Sequence, residues 1–129
     1  MNEVRLAATP PNVKLCRTEE IAEGRARNFV VQTRSGRFHG FVVRRHGMMY
    51  GYVDRCPHAG VPLARVLDDY LTPDGSLIAC NWHGALFTLD EGLCVGGPCL
   101  GQRLTAWPVC VEEGWIKTGN VPAVSGSEE

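Results

Sequence analysis

The sequence predicts an all-β fold, and three features carry that prediction. Glycine is abundant, 15 of 129 residues, alongside eight prolines. β-Branched and aromatic residues come in short runs. The runs are separated by compact turn sequences, Arg34-Ser35-Gly36, His46-Gly47, Asp90-Glu91-Gly92 and Glu112-Glu113-Gly114.

Taken in chain order, residues 19–26 are expected to hold one helical turn. Residues 28–33 and 38–45 read as strands around Arg34-Ser35-Gly36, and His46-Gly47 is a two-residue turn into a strand over 48–54. Residues 77–79 and 85–88 are short strands, followed by the turn at Asp90-Glu91-Gly92. Residues 104–111 and 115–118 form a final hairpin. Pro108 lies inside the first arm and removes a ladder donor, so that strand should be at an edge or bulged. Residues 121–129 are small and polar and read as a flexible tail. No internal repeat is visible.

Composition narrows the function classes. A chain of 129 residues with 44 % hydrophobic content suits one packed domain over 1–129 and excludes wholesale disorder. Formal net charge is −1, which offers nucleic acid or a membrane surface no obvious hold. The charge is uneven: residues 1–65 carry 11 Lys and Arg against five acids, and residues 66–129 carry two against nine. Two solvated faces of one sheet account for this more simply than a docking dipole. No apolar run reaches the roughly 18 residues of a transmembrane helix. Met1 to Leu15 has no signal-peptide core, so a cytoplasmic location is expected, where stable disulfides are disfavoured.

The six cysteines are therefore informative. Two matched loops, Cys56-Pro57-His58-Ala59-Gly60 and Cys80-Asn81-Trp82-His83-Gly84, each follow a strand-like run and each offer one thiolate and one imidazole. A lone Cys or His is usually a packing or surface residue, but the chain has only four histidines, and two of them follow cysteines in this way. Two metal centres suit such a set. A tetrahedral zinc could take all four ligands. Loops that each mix Cys and His suit better a centre with two unlike ends, such as a [2Fe–2S] cluster with Cys₂ on one iron and His₂ on the other.

The pattern C-x-H followed by C-x-x-H, with glycine after each pair, resembles the cluster-binding motif of the Rieske family. The likeness extends through CPHAGVPL (56–63), CNWHGALFTL (80–89), a proline-containing third loop at Gly96-Gly97-Pro98 and a closing hairpin, over roughly 40–118. It implies a Rieske-like antiparallel β-sandwich or barrel with a small cluster-binding subdomain at one end, about 54–98. It further implies one [2Fe–2S] cluster per chain, with Cys56 and Cys80 on the inner iron and His58 and His83 on the outer one. Twenty-one residues separate His58 from Cys80, a longer span than is usual in the family. The excess falls in DDYLTPDGS (68–76), which reads as a solvated turn carrying Asp68, Asp69 and Asp74 near the cluster end.

The branch of the family follows from departures. Val61 and Trp82 stand where respiratory members have the cysteines of an inter-loop disulfide. Ala85 and Phe87 stand where those members have hydroxyls bonded to sulfur. The chain thus resembles the soluble, low-potential ferredoxin branch. Only His39 and His46 remain for any further iron site, so no catalytic residues are assigned. Cys16 and Cys110 read as packing residues. Cys94 and Cys99 flank the third loop, and the compartment favours buried thiols over a disulfide.

The expected function is one-electron transfer between a flavin-dependent reductase and a terminal oxygenase, through transient docking on an apolar rim of Pro57, Val61, Pro62, Leu63 and Trp82. The alternatives are a small Rieske-like electron-transfer subunit of a reductase such as nitrite reductase, and a zinc-stabilised interaction module.

Overall fold

The computed structural model describes residues 5–6, 8–57, 62–64, 67–81 and 84–119. Ten strands are formed among the described residues: β1 (Arg5–Leu6), β2 (Lys14–Arg17), β3 (Arg25–Thr33), β4 (Gly36–Arg45), β5 (Met48–Val53), β6 (Leu77–Ala79), β7 (Leu86–Thr88), β8 (Cys94–Gly96), β9 (Val109–Glu112) and β10 (Trp115–Thr118). They make three sheets. β3 and β5 flank β4 antiparallel, with the short β1 beside the start of β4 in parallel. β2, β10 and β9 form the second sheet, and β6, β7 and β8 the third. The only helical element among the described residues is a 3-10 turn at Thr18–Glu20, where the Arg17 amide donates to Glu20 at 2.9 Å. The expected helical turn thus forms one residue earlier than 19 and is over by 20. The tail at 121–129 lies outside the described residues.

The β4–β5 hairpin turns as its sequence requires. His46 and Gly47 both take positive φ, 53° and 77°, the backbone of a twisted two-residue turn. The Glu23 carboxylate accepts both turn amides and closes it. Glu113 and Gly114 repeat the geometry between β9 and β10.

β4 organises the interior. Phe38 and Val42 face one core with Phe29, Val53, Trp107 and Ile116. Phe41 and Val43 face the other, with Tyr52, Leu63, Ile78 and Phe87. Alternation along the strand therefore sends side chains into two cores, and 41–43 is buried on both faces. Each fully buried Phe or Val contributes about 1.5–3 kcal/mol. The second core carries both cysteines of the paired loops, so β4 and β5 are the wall on which those loops stand.

Several sequence expectations are corrected. β3 begins at Arg25, three residues earlier than 28, because Arg25 and Arg27 mask the pattern. The arm over 104–111 is not one strand. Residues 105–107 instead cross the β5 edge, where Val53 donates to the Thr105 carbonyl and Trp107 to the Gly51 carbonyl, both at 2.9 Å. Pro108 marks the break, and β9 starts after it. β1, β2 and β8 are not among the strands the sequence predicts.

Candidate metal centre

The first loop leaves β5 at Val53. Asp54 donates its amide to the His39 carbonyl at 2.9 Å, and Cys56 follows, fully buried. The second loop leaves β6 at Ala79. The Cys80 amide donates to the Ala85 carbonyl at 2.8 Å, and Gly84 donates back to the Cys80 carbonyl at 3.1 Å. These bonds pinch the loop between β6 and β7 and fix Cys80 at its base, 1 % exposed. Cys56 and Cys80 thus enter one buried cluster with Leu63, Ala85 and Phe87. His58 and His83 lie outside the described residues, as do Val61 and Trp82. Among the described residues no three His, Cys, Asp or Glu side chains gather into a metal-binding group. His39 lies within β4 and His46 in the β4–β5 turn.

The third loop packs directly on the second. Gly97 has φ 91°, and a Cβ there would stand 2.7 Å from Ala85 Cα, so only glycine permits the approach. Cys94 and Cys99 are free buried thiols with Sγ atoms 3.2 Å apart, and the Cys94 thiol also reaches the Gly96 carbonyl at 3.1 Å. Burial first, and then the neighbouring Cys94 thiol, pushes the Cys99 thiol up to about 12. The two thiols are thus engaged with each other. Cys94→Ala and Cys99→Ala should therefore leave the visible spectrum of the purified protein unchanged, at a packing loss of about 1–3 kcal/mol. Loss of colour in either variant would show a misassigned ligand.

Two expectations about the surface change. Leu63 is fully buried, so it belongs to the core and not to an apolar rim. Pro62 is exposed and Pro57 half-buried. Exposed apolar side chains that the rim reading omitted include Leu67 (75 %), Val95 (46 %) and Leu100 (69 %). The 68–76 segment is also more than a solvated turn. Asp68, Asp69 and Asp74 are exposed as expected, but Tyr70 between them is buried. Asp74 accepts from the Thr72 hydroxyl and from the Ser76 amide and hydroxyl, which hold its carboxyl down at about 2.

Asp54 escaped the sequence reading. It is 4 % exposed and accepts from the Leu63 amide (2.9 Å), the Tyr70 hydroxyl (2.8 Å) and the Asn28 side-chain amide (3.4 Å). Burial, and then the adjacent Asp54, push the Tyr70 hydroxyl far above its ordinary range, so it stays a donor. The available signal was a single acid closing an apolar strand just before Cys56.

The all-β scaffold thus buries Cys56 and Cys80 together at the bases of two loops. The model of the Rieske [2Fe-2S] domain matches residues 12–118, and the chain belongs to that family. None of the curated proteins matches it by sequence. Among solved structures, a chain of the complex of reduced oxygenase and oxidised ferredoxin in carbazole 1,9a-dioxygenase is 26 % identical, with TM-score 0.65, over 82 % of this chain and 90 % of that one. The ferredoxin of carbazole 1,9a-dioxygenase from Nocardioides aromaticivorans IC177 shares the fold at 19 % identity, TM-score 0.65, over 88 % and 100 %. The terminal oxygenase of carbazole 1,9a-dioxygenase from Novosphingobium sp. KA1 is 26 % identical, TM-score 0.65, over 90 % of this chain but 31 % of its own. The family's cofactor is a Rieske-type [2Fe–2S] cluster, and buried sulfur donors on two adjoining loops fit it. The zinc reading is set aside by this membership.

Proposed function

We propose that the chain is a one-electron carrier whose [2Fe–2S] cluster is held by Cys56 and Cys80 through sulfur and by His58 and His83 through imidazole. The observation that carries this reading is the burial of Cys56 and Cys80 together at the bases of two hydrogen-bonded loops in a chain of the Rieske family. When bound, the cluster supplies a reversible one-electron couple. The chain's own part is to keep water from the sulfur side, where Leu63, Ala85 and Phe87 pack with no exposure, and to hold the loops rigid. Residues 54–98 act as the cluster-binding subdomain of a single domain. The protein is a carrier without substrate chemistry of its own. It takes electrons from a flavin-dependent reductase and passes them to a terminal oxygenase; the ferredoxin–oxygenase complex among its structural neighbours supports the second of these partners. We place it in the cytoplasm, where thiols such as Cys94 and Cys99 stay reduced. Among the described residues no helix is long and apolar enough to cross a membrane.

Reduction potential tests the reading. Rieske centres span roughly −150 to +300 mV, and donors to sulfur stabilise the more negative reduced state. Ala85 and Phe87 are fully buried and have no hydroxyl to donate, so a potential near the low end is expected. Ala85→Ser and Phe87→Tyr should each raise it by roughly 40 mV, from a hydrogen bond of about 1 kcal/mol. Voltammetry giving a wild-type potential well above zero, or no upward shift in either variant, would count against the low-potential carrier.

A further inference from the structure

The two cysteine loops are joined at one residue. Leu63, fully buried, donates its amide to Asp54 Oδ1 at 2.9 Å and accepts the Asn81 amide on its carbonyl at 2.8 Å. Asp54 stands two residues before Cys56, and Asn81 directly follows Cys80. The first bond ties Leu63 back to the start of the first loop, and the second ties Leu63 to the start of the next.

Behind Asp54 stands a directed relay. Asn28 Nδ2 donates to the Tyr70 oxygen at 2.7 Å, and the Tyr70 hydroxyl donates to Asp54 Oδ2 at 2.8 Å. Tyr70 is 2 % exposed and stacked on Phe41, with ring centroids 4.1 Å apart and planes 8° apart. Its carbonyl accepts the Ala79 amide at 2.8 Å, one residue before Cys80. The Asn81 side chain donates to the Asp69 carbonyl at 2.9 Å. The lengthened segment therefore braces both loops. A carboxylate inside a core is expensive unless its acceptor sites are filled. Here three donors converge on it, and one of them, the Leu63 amide, ends the first cysteine loop.

We propose that Asp54, backed by Tyr70 and Asn28, is a positioning residue that clasps the two cysteine loops at a fixed separation through Leu63 and Asn81. The inference rests on the ligand set proposed above, but its test reads the loops directly. Amide hydrogen exchange is followed in the cluster-loaded protein for the wild type, Asp54→Ala, Asp54→Asn and Tyr70→Phe. In Asp54→Ala the Leu63 and Asn81 amides should exchange about tenfold faster or more. Amides of the β9–β10 hairpin, such as that of Ile116, should be unaffected. The visible absorbance should bleach faster under a chelator. Tyr70→Phe should show the same changes to a smaller degree. Asp54→Asn should be largely rescued, because its amide oxygen still accepts the Leu63 N–H.

Unchanged exchange at Leu63 and Asn81 in both Asp54→Ala and Tyr70→Phe overturns the clasp. Equal acceleration in the β9–β10 hairpin does so too, since it marks a general loss of stability. If Asp54→Ala does not fold, Tyr70→Phe and Asp54→Asn decide by the same amides. Zinc in place of iron and sulfide would defeat the ligand proposal while leaving the exchange result decisive for the clasp.

Discussion

Cys56→Ala and Cys80→Ala are each expected to yield colourless protein without iron or labile sulfide, where the wild type carries two of each per chain. Each cysteine is held at its site by the fold itself. Cys56 is fully buried just beyond β5, and Cys80 is pinned by its amide bond to Ala85. Cys94 and Cys99 are not expected to stand in for a lost one, because they are engaged with each other. His58→Ala and His83→Ala should have the same outcome. Loss of the cluster should also loosen the surrounding loops, since metal binding and local folding are coupled. Limited proteolysis should then cut within 54–81 first and spare the β9–β10 hairpin. Iron and sulfide analysis on anaerobically purified variants checks the first point. A cysteine variant that keeps both iron and sulfide would remove that residue from the ligand set.

The largest effect on stability is expected away from the metal centre, at Trp107→Ala, which should lower unfolding free energy by about 3–5 kcal/mol. Trp107 is 2 % exposed and fills the core on the far face of β4. Its ring centroid lies 4.6 Å from that of Phe38 and 6.1 Å from that of Phe29, and its indole N–H donates to Thr9 at 2.9 Å. Gly40 keeps the space open: a Cβ there would stand 2.5 Å from the Phe38 ring and 2.7 Å from the Trp107 ring. Truncation leaves a cavity bounded by rigid sheet, which collapses poorly. Guanidinium unfolding followed by circular dichroism reads the loss. A drop below about 1 kcal/mol would show that the ring is not what holds this core together. Because Trp107 and the Cys56–Cys80 pair occupy different cores, the variant's potential should stay at the wild-type value while it remains folded.

The sequence by itself determined whatever depends on near neighbours. The His46-Gly47 and Glu113-Gly114 turns are visible because positive φ demands particular residues at particular places. The Cys/His loops are visible as candidate ligands because a metal site needs donors at short fixed spacings. Tertiary structure decided the features that depend on distant partners. Leu63 looks like a surface residue beside Pro62, yet Asp54 and Asn81 draw it inside. Tyr70 sits in a polar run that reads as solvated, and Phe41 and Asp54 bury it from 29 and 16 residues away. The 104–111 arm is broken because β5 offers residues 105–107 an unpaired edge. Local backbone preference is written in adjacent residues. Burial and the pairing of a buried carboxylate depend on which surfaces the chain brings together, and those contacts are too far apart in sequence for any spacing rule to show them.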